Sequence, residues 1–256
     1  WGGYWAWDPV ENASLLPWLT ATAFLHSVIM QEKRGMMKLW NVVLVSATFF
    51  LCIFGTMLTR SGIVQSVHAF AQSGLGSYFV WFLVSGIAVT IWLILSRLDH
   101  LRSDTALESV ISRESSFLFN NLLLFASCFS VLWGTLFPVI SEALTNEKIS
   151  VDKPFFDSVN VPIGLVLLFL TGVGPLVAWR RSSFESLKRA FLWPTIAGVA
   201  VAAGLAVAGM RHPYALMSFL LCAFVTTTIA MEFVKGTIAI RAKDGGNFFS
   251  SLIELT

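Results

Sequence analysis

The chain has 256 residues, of which 56% are hydrophobic and only 12% charged, with a formal net charge of +2. A soluble domain carries roughly 25% charged residues and cannot bury this much apolar surface in one core, so a soluble globule is excluded. Near-average Gly and Pro counts exclude collagen-like and disordered chains, and no Lys/Arg cluster with interleaved aromatics points to nucleic acid.

Seven apolar runs follow one another, at about 15–30, 40–58, 78–96, 117–140, 161–179, 191–209 and 213–234. About 20 helical residues cross a bilayer, so the runs predict an all-α, polytopic transmembrane helix bundle of about seven spans. The first run is the shortest, with Pro17 in its opening turn, where a missing N–H is tolerated. It also holds Thr20, Thr22 and His26, polar groups that suit a lined cavity better than lipid.

Basic residues alternate between the connecting segments. Lys33, Arg34 and Lys38, then Arg97, Arg102 and Arg113, then Arg180, Arg181, Lys188 and Arg189, then Lys235, Arg241 and Lys243 fall in every second segment. Only Arg60, Lys148, Lys153 and Arg211 fall in the others. By the positive-inside rule the N-terminal end lies outside and the C-terminal end is cytoplasmic. Tyr4, Tyr78 and Tyr214 then stand at outer ends of spans. The expected organisation is one membrane-embedded core over 1–256. It has a tryptophan-rich outer segment (1–18), an outer loop with a histidine (59–77), a second outer loop (141–160) and a cytoplasmic-side tail (235–256). The chain reads as an internal piece of a longer membrane protein. Cys52, Cys128 and Cys222 all lie inside apolar runs, with neither zinc nor disulfide spacing.

The chemistry concentrates at the start. Trp1, Trp5, Trp7 and Trp18 are four of the ten tryptophans, and Tyr4 joins them. An interfacial aromatic belt accounts for single rings. A dense cluster on backbone loosened by Gly2 and Gly3 makes a flat platform for a porphyrin, a quinone or a flavin. Asp8, Glu11 and Asn12 suit the cap of the helix that follows. His26 lies roughly 16 Å from the outer end of its run, where an imidazole needs a hydrogen bond or a metal. His68, on the same outer face as the tryptophans, can offer an axial ligand to haem iron. Arg60, the one basic residue of loop 59–77, suits a haem propionate. His100 sits among charges as a solvated residue, and His212 has no assigned role.

The stretch WGGYWAWDPVENASLLPW resembles the tryptophan-rich "WWD" signature of the haem-handling proteins of cytochrome c maturation. Its DPVENAS form resembles the haem lyase branch, the CcmF family with its nitrite-reductase-pathway counterpart. The likeness continues in AFLHS, GTMLTRSGIVQSVHAF, SRESSFLFNNLLL, WGTLFPVI, PFFDSVNVPIG and GVGPLVAW. Tyr4 and Ala6 depart from it, standing where the familiar form often has Trp and Phe.

The resemblance implies a haem lyase subunit in the bacterial inner membrane, with its active face extracytoplasmic. Trp1, Gly2, Gly3, Tyr4, Trp5, Trp7, Asp8, Glu11, Asn12 and Trp18 would bind delivered haem, with Trp5, Trp7, Asp8 and His68 closest to the chemistry. His68 would be one outer-face axial ligand, and His26 one ligand of a resident intramembrane haem b that reduces the delivered haem. The other ligand of each pair would lie outside these residues. Implied partners are a haem chaperone, apocytochrome c with its thiol-reducing and chaperone subunits, a quinol and the lipid bilayer. The protein's own cysteines are off the outer face, which suits thiols supplied by the substrate. A transporter of haem or another amphiphile, with Glu232 near an inner end, and a non-catalytic assembly scaffold are the alternatives.

Overall fold

An Asp-Pro pair opens the first helix well before its apolar run begins. In the computed structural model, which describes residues 3–61, 66, 74–103, 112–177 and 184–244, helix α1 spans Pro9–Arg34. Asp8 is its N-cap, Pro9 its first residue, and Glu11 reaches back to complete a reciprocal capping box. Gly35, at φ 66°, ends it in the left-handed region that glycine enters without strain.

This early start corrects three expectations. The first span, at 26 residues, is not the shortest; α3 is, at 21. Pro17 lies inside the helix, not in its opening turn. It cannot donate to the Ala13 carbonyl, and Gly55 of the next helix packs there: a Cβ on Gly55 would stand 3.3 Å from that oxygen. His26 is consequently deeper than the run suggests, about 25 Å from Pro9 and about 12 Å from Arg34 at 1.5 Å per residue.

Six more helices follow among the described residues: α2 (Lys38–Ser61), α3 (Gly76–Ser96), α4 (Arg113–Thr145), α5 (Lys153–Leu176), α6 (Phe184–Val207) and α7 (Pro213–Asp244). All seven are long and apolar enough to cross a membrane, and the chain is a polytopic helical membrane protein. Helices overrun their apolar runs because backbone hydrogen bonding persists into the interface, where polar side chains reach water. The connection expected over 141–160 therefore narrows to 146–152, α7 takes in the first part of the expected tail, and Arg60 belongs to the last turn of α2.

The chain divides into two units. The first comprises Trp1–Ala106 and Phe117–Ile163, the second Leu107–Ser116 and Gly164–Thr256. In the first, α1 packs along α2 and α2 against α3. Ala13, Met57, Leu58 and Leu83 form a buried cluster there. In the second, α6 packs along α7. Leu176, Phe224 and Val225 are its core. Arg113 donates to the carbonyls of Gly174 and Pro175 at 3.2 and 2.9 Å, adding to the 3.4 Å bond that Gly174 accepts from the Val177 N–H and so helping to satisfy the end of α5.

Candidate functional site

The region where α1 begins, in the first unit, is organised around the backbone of Trp7. Glu11 Oε2 accepts from the N–H of Ala6 at 2.9 Å and of Asp8 at 3.2 Å, on either side of Trp7. Asn12 Nδ2 donates to the Trp7 carbonyl at 3.0 Å and to Thr135 Oγ1 of α4 at 3.0 Å. Asp8 Oδ2 accepts from the Val10 N–H at 3.0 Å and from the Ser66 hydroxyl. Held this way, Trp7 adopts φ 59°, a left-handed conformation that a bulky residue enters only when its surroundings impose it.

That conformation directs the indole onto α5. Its ring stacks on Phe156 with centroids 5.1 Å apart and planes 11° from parallel. Its Nε1 donates to Asp157 Oδ1 at 2.8 Å, while Lys153 Nζ holds the other oxygen of the same carboxylate at 2.6 Å. Trp5 meets Trp7 edge to face at 5.8 Å. Phe156 itself is 2% exposed and has no room to turn. A cavity of about 250 Å³ adjoins Trp7, walled by Pro9, Thr135, Lys148, Asp152 and Lys153. The result is a fixed aromatic surface beside a partly cationic hollow.

A second polar cluster lies toward the other end of the first unit. The His26 ring packs on Phe117 with centroids 5.3 Å apart. Its neighbour Ser27 is fully buried and accepts from Asn121 Nδ2 at 2.6 Å. Asn41 Nδ2 donates to the Ser27 carbonyl at 3.3 Å and to Gln31 Oε1 at 2.6 Å. Imidazole Nδ1 is buried and makes no hydrogen bond of ordinary geometry. Among the described residues no three His, Cys, Asp or Glu side chains gather as a metal site, so any metal here would depend on a cofactor's own donors. A separate apolar cavity of about 500 Å³ opens among α2, α3 and α4, with Cys128 on its wall and no histidine.

Of the residues singled out in the sequence, Trp5, Trp7, Asp8, Glu11 and Asn12 come together. Asp8 is engaged in capping, and it and Glu11 serve the backbone. Gly3 is left-handed at φ 92°. Tyr4 is fully exposed and makes no part of the stack. Trp18 is 60% exposed and lies about 14 Å along α1 from Pro9, apart from Trp5 and Trp7. Arg60 is exposed at the end of α2. Trp1, Gly2 and His68 lie outside the described residues; Ser66, two positions before His68, is bound to Asp8. His100 and His212 are exposed, and Glu232 pairs with Lys235 at 2.8 Å rather than standing alone.

Thr135, Phe156, Asp157 and Asn121 escaped the reading of the sequence as site residues. Each sits in a stretch already quoted for its resemblance, and Asn121 carried a usable signal, an amide in the middle of an apolar run.

A protein-family model described as "Cytochrome C assembly protein" matches residues 1–65. The chain is 42% identical over 204 residues to the cytochrome c-type biogenesis protein CycK of Bradyrhizobium diazoefficiens, covering 79% of this chain and 31% of that protein. It is 40% identical over 237 residues to CcmF of Haemophilus influenzae, covering 90% of this chain and 35% of that one. Over 187 residues it is 37% identical to the probable biogenesis protein NrfE of Escherichia coli, covering 73% and 34%. A solved structure described as "Cytochrome c Heme Lyase CcmF" superposes with a TM-score of 0.73 at 31% identity, covering 93% of this chain and 35% of that chain. The chain thus spans about a third of the length of the curated relatives it matches.

Proposed function

The chain belongs to the cytochrome c-type biogenesis family of CcmF, CycK and NrfE, and we propose that it forms the haem-holding part of a haem lyase. The observation that carries this reading is the clamped Trp7, stacked on Phe156 and bonded to Asp157 beside an open hollow. Haem delivered by a chaperone is the substrate, and the rings of Trp5 and Trp7 receive its flat face. His68 supplies one axial ligand. Arg60 and the lysines of the hollow offer cations to the propionates.

Attachment is an addition. Each thiol of a C-x-x-C-H segment of apocytochrome c puts its sulfur on one vinyl carbon and its hydrogen on the other, with no net change in oxidation state. What the protein must contribute is orientation, and a platform fixed from both sides of Trp7 provides it without rearranging. Glu11 and Asn12 hold the backbone, Phe156 and Asp157 hold the ring, and Asp8 ties the outer segment to the helix start.

The second cluster fits one side of a resident haem. His26 is a half-buried imidazole with an aromatic wall at Phe117. A b-type haem bound there would supply one-electron chemistry, with the second ligand from outside this chain. The alternation of basic residues supports an extracytoplasmic Trp7 end. Apocytochrome c, its thiol-reducing subunits, the haem chaperone and a quinol are the partners of this reading. Glu232, which kept a transporter open as the alternative, is paired with Lys235 at 2.8 Å.

Pyridine-haemochrome spectra of the full-length protein test the proposal. His26→Ala is expected to lose a resident b-type signal, and His68→Ala to lose only the haem that can be loaded. Wild-type protein that carries no haem and takes none up would refute it.

A further inference from the structure

Two buried atoms near the C-terminal end of α1 lack hydrogen bonds of ordinary geometry, and they belong to side chains that share neighbours across α1 and α4. One is Nδ1 of His26, the other Oδ1 of Asn121. Phe117, whose ring packs on His26 at 5.3 Å, lies one helical turn before Asn121 on the same face of α4, and Asn121 itself binds Ser27, the residue that follows His26. The two residues are at matching depth: His26 is eight residues before the end of α1 and Asn121 eight residues after the start of α4. Asn121 is 1% exposed, so no bulk water competes for its oxygen.

The amide is also held in one orientation. Its Nδ2 is committed to Ser27 Oγ at 2.6 Å, and Ser27 is fixed in turn through its carbonyl, which accepts from Asn41. With the nitrogen branch of the amide anchored on α1, the oxygen branch is left for another donor. A buried amide oxygen and a buried ring nitrogen left unpaired would each lose the hydrogen bond that water gives it in the unfolded chain. Pairing them satisfies both.

We propose that Asn121 is a positioning residue for His26. Its Oδ1 accepts the Nδ1–H of the imidazole, which fixes the tautomer and the plane of the ring and leaves Nε2 to ligate iron. The inference rests on the reading of His26 as a haem ligand. Histidines that bind metals commonly donate their second N–H to an oxygen, which raises ligand basicity, and removing that oxygen typically lowers metal affinity 10–100-fold. Ser27 acts one step further out, by aiming the amide.

The test uses full-length protein carrying Asn121→Leu, Asn121→Asp, Ser27→Ala or His26→Ala. Resident haem content, its midpoint potential and the ferric EPR g values are measured on each. Asn121→Leu removes the acceptor, so haem retention is expected to fall about tenfold. The potential of what remains should rise, because a less basic imidazole stabilises ferric iron less. Asn121→Asp supplies a stronger acceptor of nearly the same shape, and its potential should move below wild type. Ser27→Ala should shift the potential in the direction of the Leu variant, by less.

A purely structural role would not reverse sign between Leu and Asp. If Asn121→Leu does not accumulate, the near-isosteric Asp variant decides the matter through its potential alone. Wild-type potentials and g values in the Asn121 variants, with haem lost from His26→Ala, would overturn the positioning role and leave the ligand role standing. Resident haem retained by His26→Ala would overturn the ligand reading itself.

Discussion

Gly134 of α4 faces the ring that supports Trp7, and replacing it with Ala should damage the platform without touching a proposed ligand. A Cβ at this position would lie 2.7 Å from both Cε1 and Cζ of Phe156 and 2.8 Å from Cε1 of Phe155. Carbon atoms in good contact are about 3.5–4.0 Å apart, so Phe156 must retreat by about 1 Å. It is buried, and its backbone is fixed in the first turn of α5, so the ring can only slide across the face of Trp7. Inserting a methyl group into such a site destabilises by about 1–3 kcal/mol. At 1.4 kcal/mol per factor of ten, that is roughly a 5- to 150-fold loss of the stacked arrangement. Near-ultraviolet circular dichroism of the full-length protein reports the Trp7 environment, and loading with haem reports the platform. The double variant Gly134→Ala/Phe156→Leu relieves the clash, so its stability should exceed that expected from adding the two single effects by at least 1 kcal/mol. A Gly134→Ala protein with unchanged aromatic dichroism, unchanged haem loading and a coupling within about 0.5 kcal/mol of zero would show that Phe156 does not set Trp7.

Other perturbations separate the parts of the clamp. Glu11→Ala removes the acceptor for the Ala6 and Asp8 N–H groups and should destabilise the start of α1 by about 0.5–2 kcal/mol, read as faster hydrogen exchange at residues 6–11 with α2 unaffected. Asn12→Leu leaves the Trp7 carbonyl and the Thr135 hydroxyl without their donor, and a loss of about 1–3 kcal/mol in unfolding stability is expected by denaturant titration. Gly55→Val drives a branched side chain into the Ala13 carbonyl and should separate α1 from α2, seen as reduced crosslinking between cysteines placed on facing positions.

Much of the architecture was legible from the amino acids alone. Seven spans follow from apolar runs of bilayer length, because the cost of exposing backbone polar groups to lipid leaves the helix as the only local solution. The cap at Asp8 and Glu11 could be read from spacing, since the hydrogen bonds it makes are local. Pro17 misled because its place depends on where the helix begins, and the capping residues, not the apolar run, decide that.

The contacts between helices were a different matter. Nothing in the spacing of the first eighteen residues says that Trp7 must be left-handed, that Trp18 turns away from it, or that Phe156 and Asp157 receive its ring across 149 and 150 residues of sequence. Those facts come from packing, where one helix start, one glycine on α4 and the first turn of α5 meet. Likewise the sequence singled out His26 as an imidazole in an apolar setting, while its nearness to Asn121 arises only when α1 and α4 lie side by side. Residue type and period are properties of one segment, and so the chain alone determined which segments cross the membrane and which side chains were chemically unusual. Partners are a property of the fold, and so only the tertiary structure decided which of those side chains act together.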